Sequence, residues 1–424
     1  MDAQETDAQS TNAKATDAQG LLAGRSLEDL REEYRYWLFD DYLPFIDRHV
    51  VDHEHGGFMC AADRDGTRVN ANKRTWYEGR GIWVASFLHN RVETDPRQVE
   101  IARKSVDFIL RHDPTGPELM PVGFTREGLP LKDEPDPIFY GDMFVANGLQ
   151  EFGEAAGEPR YWDMAKAIVL KCVDIYDNRP GYGSLPAAGD LPALERPRML
   201  GHWFVLLRCT TQMLEKRDDP ELLAVNDRCI EAVLTRHRHP GHGLIAEYTH
   251  HDLSPIDNDW GQKVTGHAPE TMWMVMFEAL RRRDRALFDR AAESLRRHVE
   301  VMWDDVYGGM LSGLEHVDRN EWRTDKLLWL QEEVLIGTLC VIEHTGAAWA
   351  KTWFARMYDY VLDNFSLAPH GYPLWILSAD RNVTFTRHAS RVGNFHHPRH
   401  LMLNLLALDR IIARQGALSG HFDG

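Results

Sequence analysis

The sequence predicts an all-α protein whose helices close into an (α/α)6 barrel. Short clusters rich in glycine and aromatic residues return at nearly even spacing, each between two helical stretches. The clusters lie at His55-Gly56-Gly57-Phe58, Gly116, Gly181-Tyr182-Gly183, Gly241-His242-Gly243-Leu244, Tyr307-Gly308-Gly309-Met310 and His370-Gly371-Tyr372. The shortest spacing, from Gly56 to Gly116, is 60 residues, and the longest, from Gly241 to Gly308, is 67. A period of that length is one supersecondary unit, here a helical hairpin.

Twelve segments have the apolar periodicity of helices. The first begins at Ser26, a capping serine that is followed by acidic residues in the first turn. Tight turns such as Gly157-Glu158-Pro159 join one hairpin to the next. The predicted helices are 26–50, 76–92, 97–112, 138–156, 159–177, 197–216, 220–238, 267–283, 285–303, 325–344, 347–365 and 395–414.

Alternate helices differ in composition. Those near 76, 138, 197, 267, 325 and 395 begin with aromatic, histidine and charged residues and continue with few charges. The intervening helices carry many arginines and glutamates in an amphipathic pattern. Six hairpins can stack as an open solenoid or close into a ring, but a solenoid does not need an inner set that starts with polar residues. We therefore expect a closed toroid with the first turns of its inner helices gathered at one end.

Composition indicates one folded unit after a polar tail. Residues 1–20 contain almost no large apolar side chain, so we expect this tail to be disordered, and residues 21–424 to form a single domain. The tail lacks the apolar core of a secretory signal. The five cysteines are scattered and odd in number, which favours reduced thiols and a cytoplasmic protein.

Charge narrows the choice of partners. The formal net charge of −17 disfavours binding to nucleic acid or to anionic lipid. No apolar run approaches the length of a membrane span. A small polar molecule is the expected partner.

Residues that could carry proton transfer open several of the inner helices. His267 and Glu270 are three residues apart, so on a helix they share a face and can hydrogen-bond. A carboxylate on one imidazole nitrogen leaves the other nitrogen for proton transfer. His396 and Arg399 have the same spacing on the last inner helix, and Arg80 opens the first one. Two histidines from different helices would suit proton exchange on a polar organic substrate.

A metal site is not expected. Several histidine groups invite that interpretation, but none has the helical His-Glu-x-x-His pattern or the paired cysteines of a zinc site. These groups are His53-Glu54-His55, His237-Arg238-His239, His250-His251 and His396-His397.

Five motifs, in order along the chain, resemble those of the N-acylglucosamine 2-epimerase family, over nearly the whole chain after the tail. The family's EHGGF loop is matched by Glu54-His55-Gly56-Gly57-Phe58, and its K…W-x-Q-G-R-x-x-W by Lys73, Trp76, Gly79, Arg80 and Trp83. Its P-G-H-x-x-E is matched by Gly266, His267 and Glu270, its K-x-W-W-x-x-x-E in part by Lys326, Trp329 and Glu333, and its F-H-x-P-R by Phe395, His396, Pro398 and Arg399.

The resemblance implies the (α/α)6 barrel and an inversion at carbon 2 of an aldose, without metal or cofactor. It assigns the two proton transfers to His267 and His396, with Arg80 at the enediolate oxygen and Glu270 orienting His267. It also implies a homodimer. The expected substrate-binding residues are Trp76, Tyr140, Lys326, Trp329, Glu333 and Arg399.

Four positions depart from the family pattern. Glu78 replaces a glutamine and could add negative charge near Arg80, and Thr265 replaces a proline. Leu328 replaces the first tryptophan of a pair, and His397 replaces an apolar residue. These changes affect the expected pocket lining, and hence the substrate, more than the reaction.

Several functions remain open at this point. The favoured substrate pair is N-acetylglucosamine and N-acetylmannosamine, and the alternatives are glucose and mannose, or an aldose–ketose isomerisation. A glycoside hydrolase would need two facing carboxyls, for which Asp142 and Glu270 are candidates. A binding module that has lost catalysis is the third class, although His267, Glu270, His396 and Arg80 are all retained.

Overall fold

A computed structural model of the chain describes residues 14–63, 65–135, 137–365, 376–377 and 392–423. Its α-helices are α1 (Leu27–Tyr36), α2 (Leu43–His49), α3 (Thr75–Phe87), α4 (Pro96–Leu110), α5 (Tyr140–Ala155), α6 (Arg160–Asn178), α7 (Leu200–Lys216), α8 (Pro220–Glu231), α9 (His267–Arg282), α10 (Arg285–Met302), α11 (Leu328–Thr345), α12 (Ala348–Phe365) and α13 (His396–Ala413). π-Helical segments follow α1, α3 and α8, at Trp37–Tyr42, Leu88–Val92 and Ala232–Arg236, and a 3-10 helix lies at Asp259–Gln262.

Each of the twelve predicted helices is present. The predicted helix 26–50 consists of α1 and α2, which the π-helical segment Trp37–Tyr42 joins without a break. It begins at the predicted cap, where the Ser26 hydroxyl accepts from the backbone N–H of Asp29 at 3.0 Å. The predicted helix 325–344 begins three residues late, because Lys326–Leu327 form a strand.

The helices form two concentric rings, as the alternating composition predicts. The inner ring is α3, α5, α7, α9, α11 and α13, each packed on the next, and the intervening helices lie outside it. The ring closes between its last and first members, where the Trp83 and Phe395 rings lie 5.4 Å apart. The Asn394 side-chain amide also donates to the Tyr77 carbonyl at 2.9 Å. This is a helical toroid and not an open solenoid.

Short strands set where the inner helices begin. The strands are β1 (Lys73–Arg74), β2 (Gly123–Phe124), β3 (Arg198–Met199), β4 (Tyr248–Thr249), β5 (Val264–Thr265), β6 (Gly313–His316), β7 (Glu321–Arg323), β8 (Lys326–Leu327) and β9 (Ile376–Leu377). They pair antiparallel as β1–β2, β3–β4, β5–β6–β7 and β8–β9. Because β1, β3, β5 and β8 each lead directly into an inner helix, the ladders hold four of the inner first turns at one end of the toroid.

One glycine loop shows how the repeats are built. The backbone N–H of Asp52 donates to the Gly57 carbonyl at 2.9 Å, and Gly56 and Gly57 have φ of +76° and +88°. Only glycine adopts such angles readily. The buried Lys73 ammonium lies 3.0 Å from the Asp52 carboxylate and anchors the loop to the start of α3.

The loop before α11 repeats this arrangement. Asp304 donates to the Gly309 carbonyl at 2.9 Å, and Gly308 and Gly309 have φ of +76° and +79°. The Lys326 ammonium lies 2.7 Å from the Asp304 carboxylate. The sixth predicted cluster, at His370, lies outside the described residues.

The two glycine loops differ in the inner-helix side chain that hydrogen-bonds to the loop backbone. Glu78 accepts from the Phe58 N–H at 2.9 Å and from the Ser105 hydroxyl at 2.7 Å. Gln331 accepts from the Met310 N–H at 2.8 Å and also donates to the Met310 carbonyl at 3.0 Å. Glu78 is fully buried, and burial raises the pKa of its carboxyl to about 7.

Part of the predicted tail packs on the barrel. Ala15 is fully buried and its backbone N–H donates to the Gly416 carbonyl at 3.0 Å. The Lys351 ammonium donates to the Thr16 carbonyl at 2.9 Å. The packed part of the chain thus begins before residue 21, while residues 1–13 lie outside the described residues. Within the described part, no helix combines the length and the apolarity that a bilayer crossing requires.

The Glu78 environment predicts a pH-dependent gain in stability for Glu78→Gln. The pKa of this carboxyl is higher in the folded than in the unfolded protein, so its stabilising effect is complete below about pH 4.5 and is lost as the pH rises to about 7. Urea unfolding at pH 8 should show the variant to be more stable, by about 3 kcal/mol at most. The gain should disappear near pH 4.5.

The other copy of the loop supplies the reciprocal control. Gln331→Glu buries a carboxylate at the matching position and removes the donor to the Met310 carbonyl, so it should destabilise the protein at pH 8. A Glu78→Gln variant that is no more stable at pH 8 than at pH 4.5, relative to the wild type, would contradict the account.

Candidate active site

A cavity of about 200 Å³ lies at the end of the toroid where the inner helices begin. All six inner helices contribute residues to its lining, and they are Trp76, Arg80, Tyr140, Phe144, Phe204, Val205, His267, Glu270, Trp329 and His396. Seven of them were singled out from the sequence. Lys326, Glu333 and Arg399 were also expected there, but the structure places them elsewhere.

The two predicted catalytic histidines face the same space. His267 is the first residue of α9, and His396 is the first residue of α13. The Trp329 ring lies 6.0 Å from the His267 ring and 5.2 Å from the His396 ring, measured between centroids. The toroid thus brings together two imidazoles that are 129 positions apart in the chain, by their numbers.

Glu247, and not Glu270, holds His267. The Nδ1 atom of His267 lies 3.1 Å from both carboxylate oxygens of Glu247. Because a carboxylate only accepts, Nδ1 carries the proton and Nε2 remains for chemistry. The prediction that Glu270 orients His267 is therefore wrong. Glu247 was missed because it precedes β4, twenty positions away, and no spacing rule links it to α9.

Thr265 completes this contact. Its hydroxyl donates to a Glu247 carboxylate oxygen at 2.5 Å and accepts from the His267 backbone N–H at 3.2 Å. This position departs from the family pattern, where proline is common and has no hydroxyl to donate. The substitution therefore affects how His267 is held.

Glu333 holds His396 in the same way. The Nδ1 atom of His396 lies 2.8 Å from a Glu333 carboxylate oxygen, which leaves Nε2 as the second nitrogen. Glu333 is fully buried, and its other oxygen accepts from the Trp273 indole N–H at 2.6 Å. Glu333 is thus a support for His396 and not the substrate-binding residue expected from the sequence.

Arg399 lies behind the cavity, where it joins two carboxylates. Its guanidinium donates to Glu270 at 2.8 Å and to Glu333 at 2.5 Å, and its side chain is only 2% exposed. Arg399 does not line the cavity, and substrate binding by this residue stays a prediction. Its guanidinium fixes Glu270 at the cavity wall and Glu333 against His396.

Lys326 anchors a loop. Its fully buried ammonium pairs with Asp304 at 2.7 Å, beneath the glycine loop described above. Lys326 does not line the cavity, and its expected contact with substrate stays a prediction.

Arg80 supplies positive charge at the cavity wall. Its guanidinium carbon lies 4.7 Å from the Trp76 ring centroid, 4.1 Å from that of Phe144 and 5.0 Å from that of Phe395. Aromatic faces attract such a cation and hold its orientation. Glu78, expected to add negative charge near Arg80, instead turns into the glycine loop.

The two histidines differ in acidity. Burial lowers the pKa of His267, but the Glu247 carboxylate outweighs it, and the pKa is raised overall. Burial dominates at His396 and lowers its pKa to about 4, although Glu333 acts in the opposite direction. At about pH 6, between the lowered pKa of His396 and the raised pKa of His267, the cavity therefore holds one imidazolium and one neutral imidazole. Burial and the charge of Glu333 raise the pKa of the Glu270 carboxyl.

Two groups of side chains among the described residues have metal-ligand chemistry. Glu270, Glu333 and His396 form the first, and Glu332, His397 and His400 form the second. In the first group the Arg399 guanidinium already balances the carboxylates. In the second, His397 Nδ1 bonds Glu332 at 2.5 Å and His400 bonds the Tyr34 hydroxyl at 2.9 Å. The absence of a metal from the reaction stays a prediction.

Comparisons with known proteins agree with this architecture. A family model described as N-acylglucosamine 2-epimerase (GlcNAc 2-epimerase) matches residues 56–398. The chain is similar to N-acylglucosamine 2-epimerase of Bos taurus, with 25% identity over 413 residues, 92% of this chain and 95% of the bovine protein.

Two solved structures share the fold. Cellobiose 2-epimerase from Spirochaeta thermophila DSM 6192 superposes with a TM-score of 0.75 at 17% identity, covering 91% of this chain and 98% of that one. A D-mannose isomerase superposes with a TM-score of 0.70 at 14% identity, covering 90% of this chain and 96% of that one.

The contact between Glu247 and His267 predicts a specific change in acidity. In Glu247→Gln the pKa of His267 should fall, because burial then acts without the carboxylate. Titration of the histidine side chains by 15N NMR measures that pKa directly. In the control Glu321→Gln, which changes an exposed carboxylate paired with Arg319, the pKa of His267 should not move. An unchanged pKa in Glu247→Gln would contradict the assignment.

Proposed function

The chain belongs to the N-acylglucosamine 2-epimerase family, and we propose on that premise that it interconverts N-acetylglucosamine and N-acetylmannosamine as free sugars. It is a sugar 2-epimerase and hence a carbohydrate isomerase. The observation that carries the proposed mechanism is the pair of histidines with opposite pKa shifts at one cavity.

The reaction begins with the opened sugar, whose C2 proton is acidic because it lies beside the C1 carbonyl. Neutral His396 removes that proton through Nε2. The electron pair of the C–H bond forms the C1–C2 double bond and the carbonyl electrons move to the C1 oxygen, which gives an enolate, or an enediolate where C2 carries a hydroxyl. Protonated His267 then gives its proton to the opposite face of C2, and the carbonyl re-forms. His396 ends with the proton that the sugar lost, and His267 ends neutral. The reverse reaction starts from that state.

Positively charged groups and a neutral hydrogen-bond donor at the cavity stabilise the intermediate. Arg80 faces the negative charge that develops on the C1 oxygen, and the first turns of the converging inner helices add partial positive charge. Burial and the charge of Glu333 raise the pKa of Glu270 to about 7, so below that pH its carboxyl is protonated and can donate a hydrogen bond to a sugar oxygen. The cavity volume of about 200 Å³ suits one hexose ring.

Aromatic residues provide the apolar side of the sugar site. Trp329 lies between the two histidines, and Trp76 lies beside Arg80. Tyr140 lines the same cavity and adds a hydroxyl. These three residues are the proposed substrate-binding set, and they replace the larger set expected from the sequence.

An aldose–ketose isomerisation is the second candidate. It needs a sugar with a C2 hydroxyl, whose enediolate takes the proton at C1 instead of C2, and the fold is shared with a D-mannose isomerase. Glucose and mannose remain alternative substrates for the epimerisation. The hydrolase alternative loses its carboxyl pair, because Asp142 bonds Lys171 at 2.7 Å and does not line the cavity.

The proposed setting is the cytoplasm. All five cysteines are buried and none of them forms a disulfide within the described residues, which suits a reducing compartment. A homodimer is proposed from the resemblance to the family alone.

Labelling in deuterated water tests the reaction. With N-acetylmannosamine or N-acetylglucosamine, the product should carry deuterium at C2, because the proton returned by His267 comes from solvent. His267→Asn and His396→Asn should each reduce interconversion by about 10²–10⁴-fold. Each variant should still exchange the C2 proton of one epimer, since one base remains. The exposed loop variant His250→Asn is the control and should keep full activity.

The position of the label separates the alternatives. Deuterium at C1 of a ketose would indicate the isomerase. Deuterium only at C2 of glucose or mannose would show that the substrate of the epimerisation is an unsubstituted hexose and not an N-acyl sugar. No deuterium at C2 of any aldose would refute the proposed epimerisation.

The dependence of kcat/KM on pH should be bell-shaped. Activity should rise with pH as His396 loses its proton near pH 4, and fall again as His267 loses its proton above its ordinary pKa. The pH profile should have the same bell shape for epimerisation in either direction. The two histidines together hold one transferable proton at the start of the forward reaction and at the start of the reverse reaction. An activity that rises steadily through pH 9 would contradict the role of His267 as the acid.

A further inference from the structure

Gly201 stands where the helix gives no backbone reason for a glycine. It is the second residue of α7, and its φ is not among the positive values in the chain. Glycine within a helix costs up to about 1 kcal/mol relative to alanine. A packing reason should therefore exist, and the surroundings of Gly201 show one.

A side chain at position 201 has no room. A Cβ atom there would overlap the hydroxyl oxygen of Tyr140, and it would lie 3.1 Å from Cζ of Tyr140 and 3.4 Å from Cε1 of His267. The overlapping oxygen is the end of a rigid ring, so the hydroxyl can move away only if the whole ring moves.

The Tyr140 ring is itself held in place. Tyr140 is the first residue of α5, and its ring centroid lies 4.7 Å from that of His202 and 6.3 Å from that of Phe139. His202 is fully buried. The phenol thus enters a notch in α7 that exists only because residue 201 lacks a side chain.

The notch lies at the chemically active edge of His267. Cε1 is the carbon between Nδ1 and Nε2, and the Cβ position of residue 201 adjoins both this carbon and the Tyr140 hydroxyl, so the hydroxyl lies on the Cε1 side of the His267 ring. Burial, followed by the charge of Glu247, raises the pKa of Tyr140 well above its usual range. The hydroxyl consequently keeps its proton and can donate a hydrogen bond.

We propose that Gly201 is a positioning residue, whose missing side chain seats the Tyr140 hydroxyl beside His267, where it donates a hydrogen bond to an oxygen of the bound sugar. The inference rests on the proposed sugar epimerisation. It makes Tyr140 the donor on the His267 side of the cavity, while Arg80 supplies the charge beside Trp76.

A double-mutant cycle on positions 201 and 140 tests the inference, with C2 deuterium exchange and epimerisation as readouts. Gly201→Ala and Tyr140→Phe should each reduce kcat by about 100-fold, the typical loss for one donor to a developing oxyanion. The double variant should be no worse than Tyr140→Phe alone, because removal of the hydroxyl removes the overlap. Melting temperatures are measured on all four proteins.

The outcomes separate the inference from the function on which it rests. A wild-type enzyme without C2 exchange refutes both. A Gly201→Ala variant with wild-type kcat, or losses that multiply in the double variant, refutes only the positioning role. If Gly201→Ala fails to fold, Tyr140→Phe and the double variant decide: equal kcat and melting temperature support the role, and a further loss in the double variant refutes it.

Discussion

Hydrogen bonds from two imidazoles to two buried carboxylates are the constraint on which the site depends. Glu247 binds Nδ1 of His267, and Glu333 binds Nδ1 of His396, so each ring keeps Nε2 for the substrate. The surroundings of the two pairs differ. Glu247 outweighs burial at His267, whereas burial prevails at His396, so at about pH 6 one ring is charged while the other is neutral. Inversion at one carbon needs an acid and a base on opposite faces, and the proposed mechanism assigns these two roles to the two rings.

The toroid is what makes these contacts possible. Glycine loops with buried Lys–Asp pairs and short antiparallel ladders fix where inner helices begin, so first turns from distant parts of the chain meet around one cavity. Arg399 holds two side chains of this site in place, because its guanidinium binds Glu270 in the cavity wall and Glu333 behind His396. The side chains that touch the substrate are few. More of the charged residues at this end of the barrel serve to hold them.

Local patterns in the sequence were enough to predict the helices, the toroid and seven of the ten residues that line the cavity. They failed for roles that depend on contacts between distant segments. The three-residue spacing suggested that Glu270 holds His267, but the side chain that does so comes from a strand start that no periodicity connects to α9. Lys326 and Glu333 both match positions of a family motif, and their charges suggested contacts with the substrate. Burial shows instead that each balances an internal partner. Glu78 likewise turns inward to a loop.

The protonation states of the two histidines in the resting enzyme test the central claim most directly. Nitrogen chemical shifts of 15N-labelled histidine at pH 6, assigned with His267→Asn and His396→Asn, report the charge and tautomer of each ring. The account predicts a charged His267 and a neutral His396 that is protonated on Nδ1. Two neutral rings, two charged rings, or a neutral His396 protonated on Nε2 would contradict it.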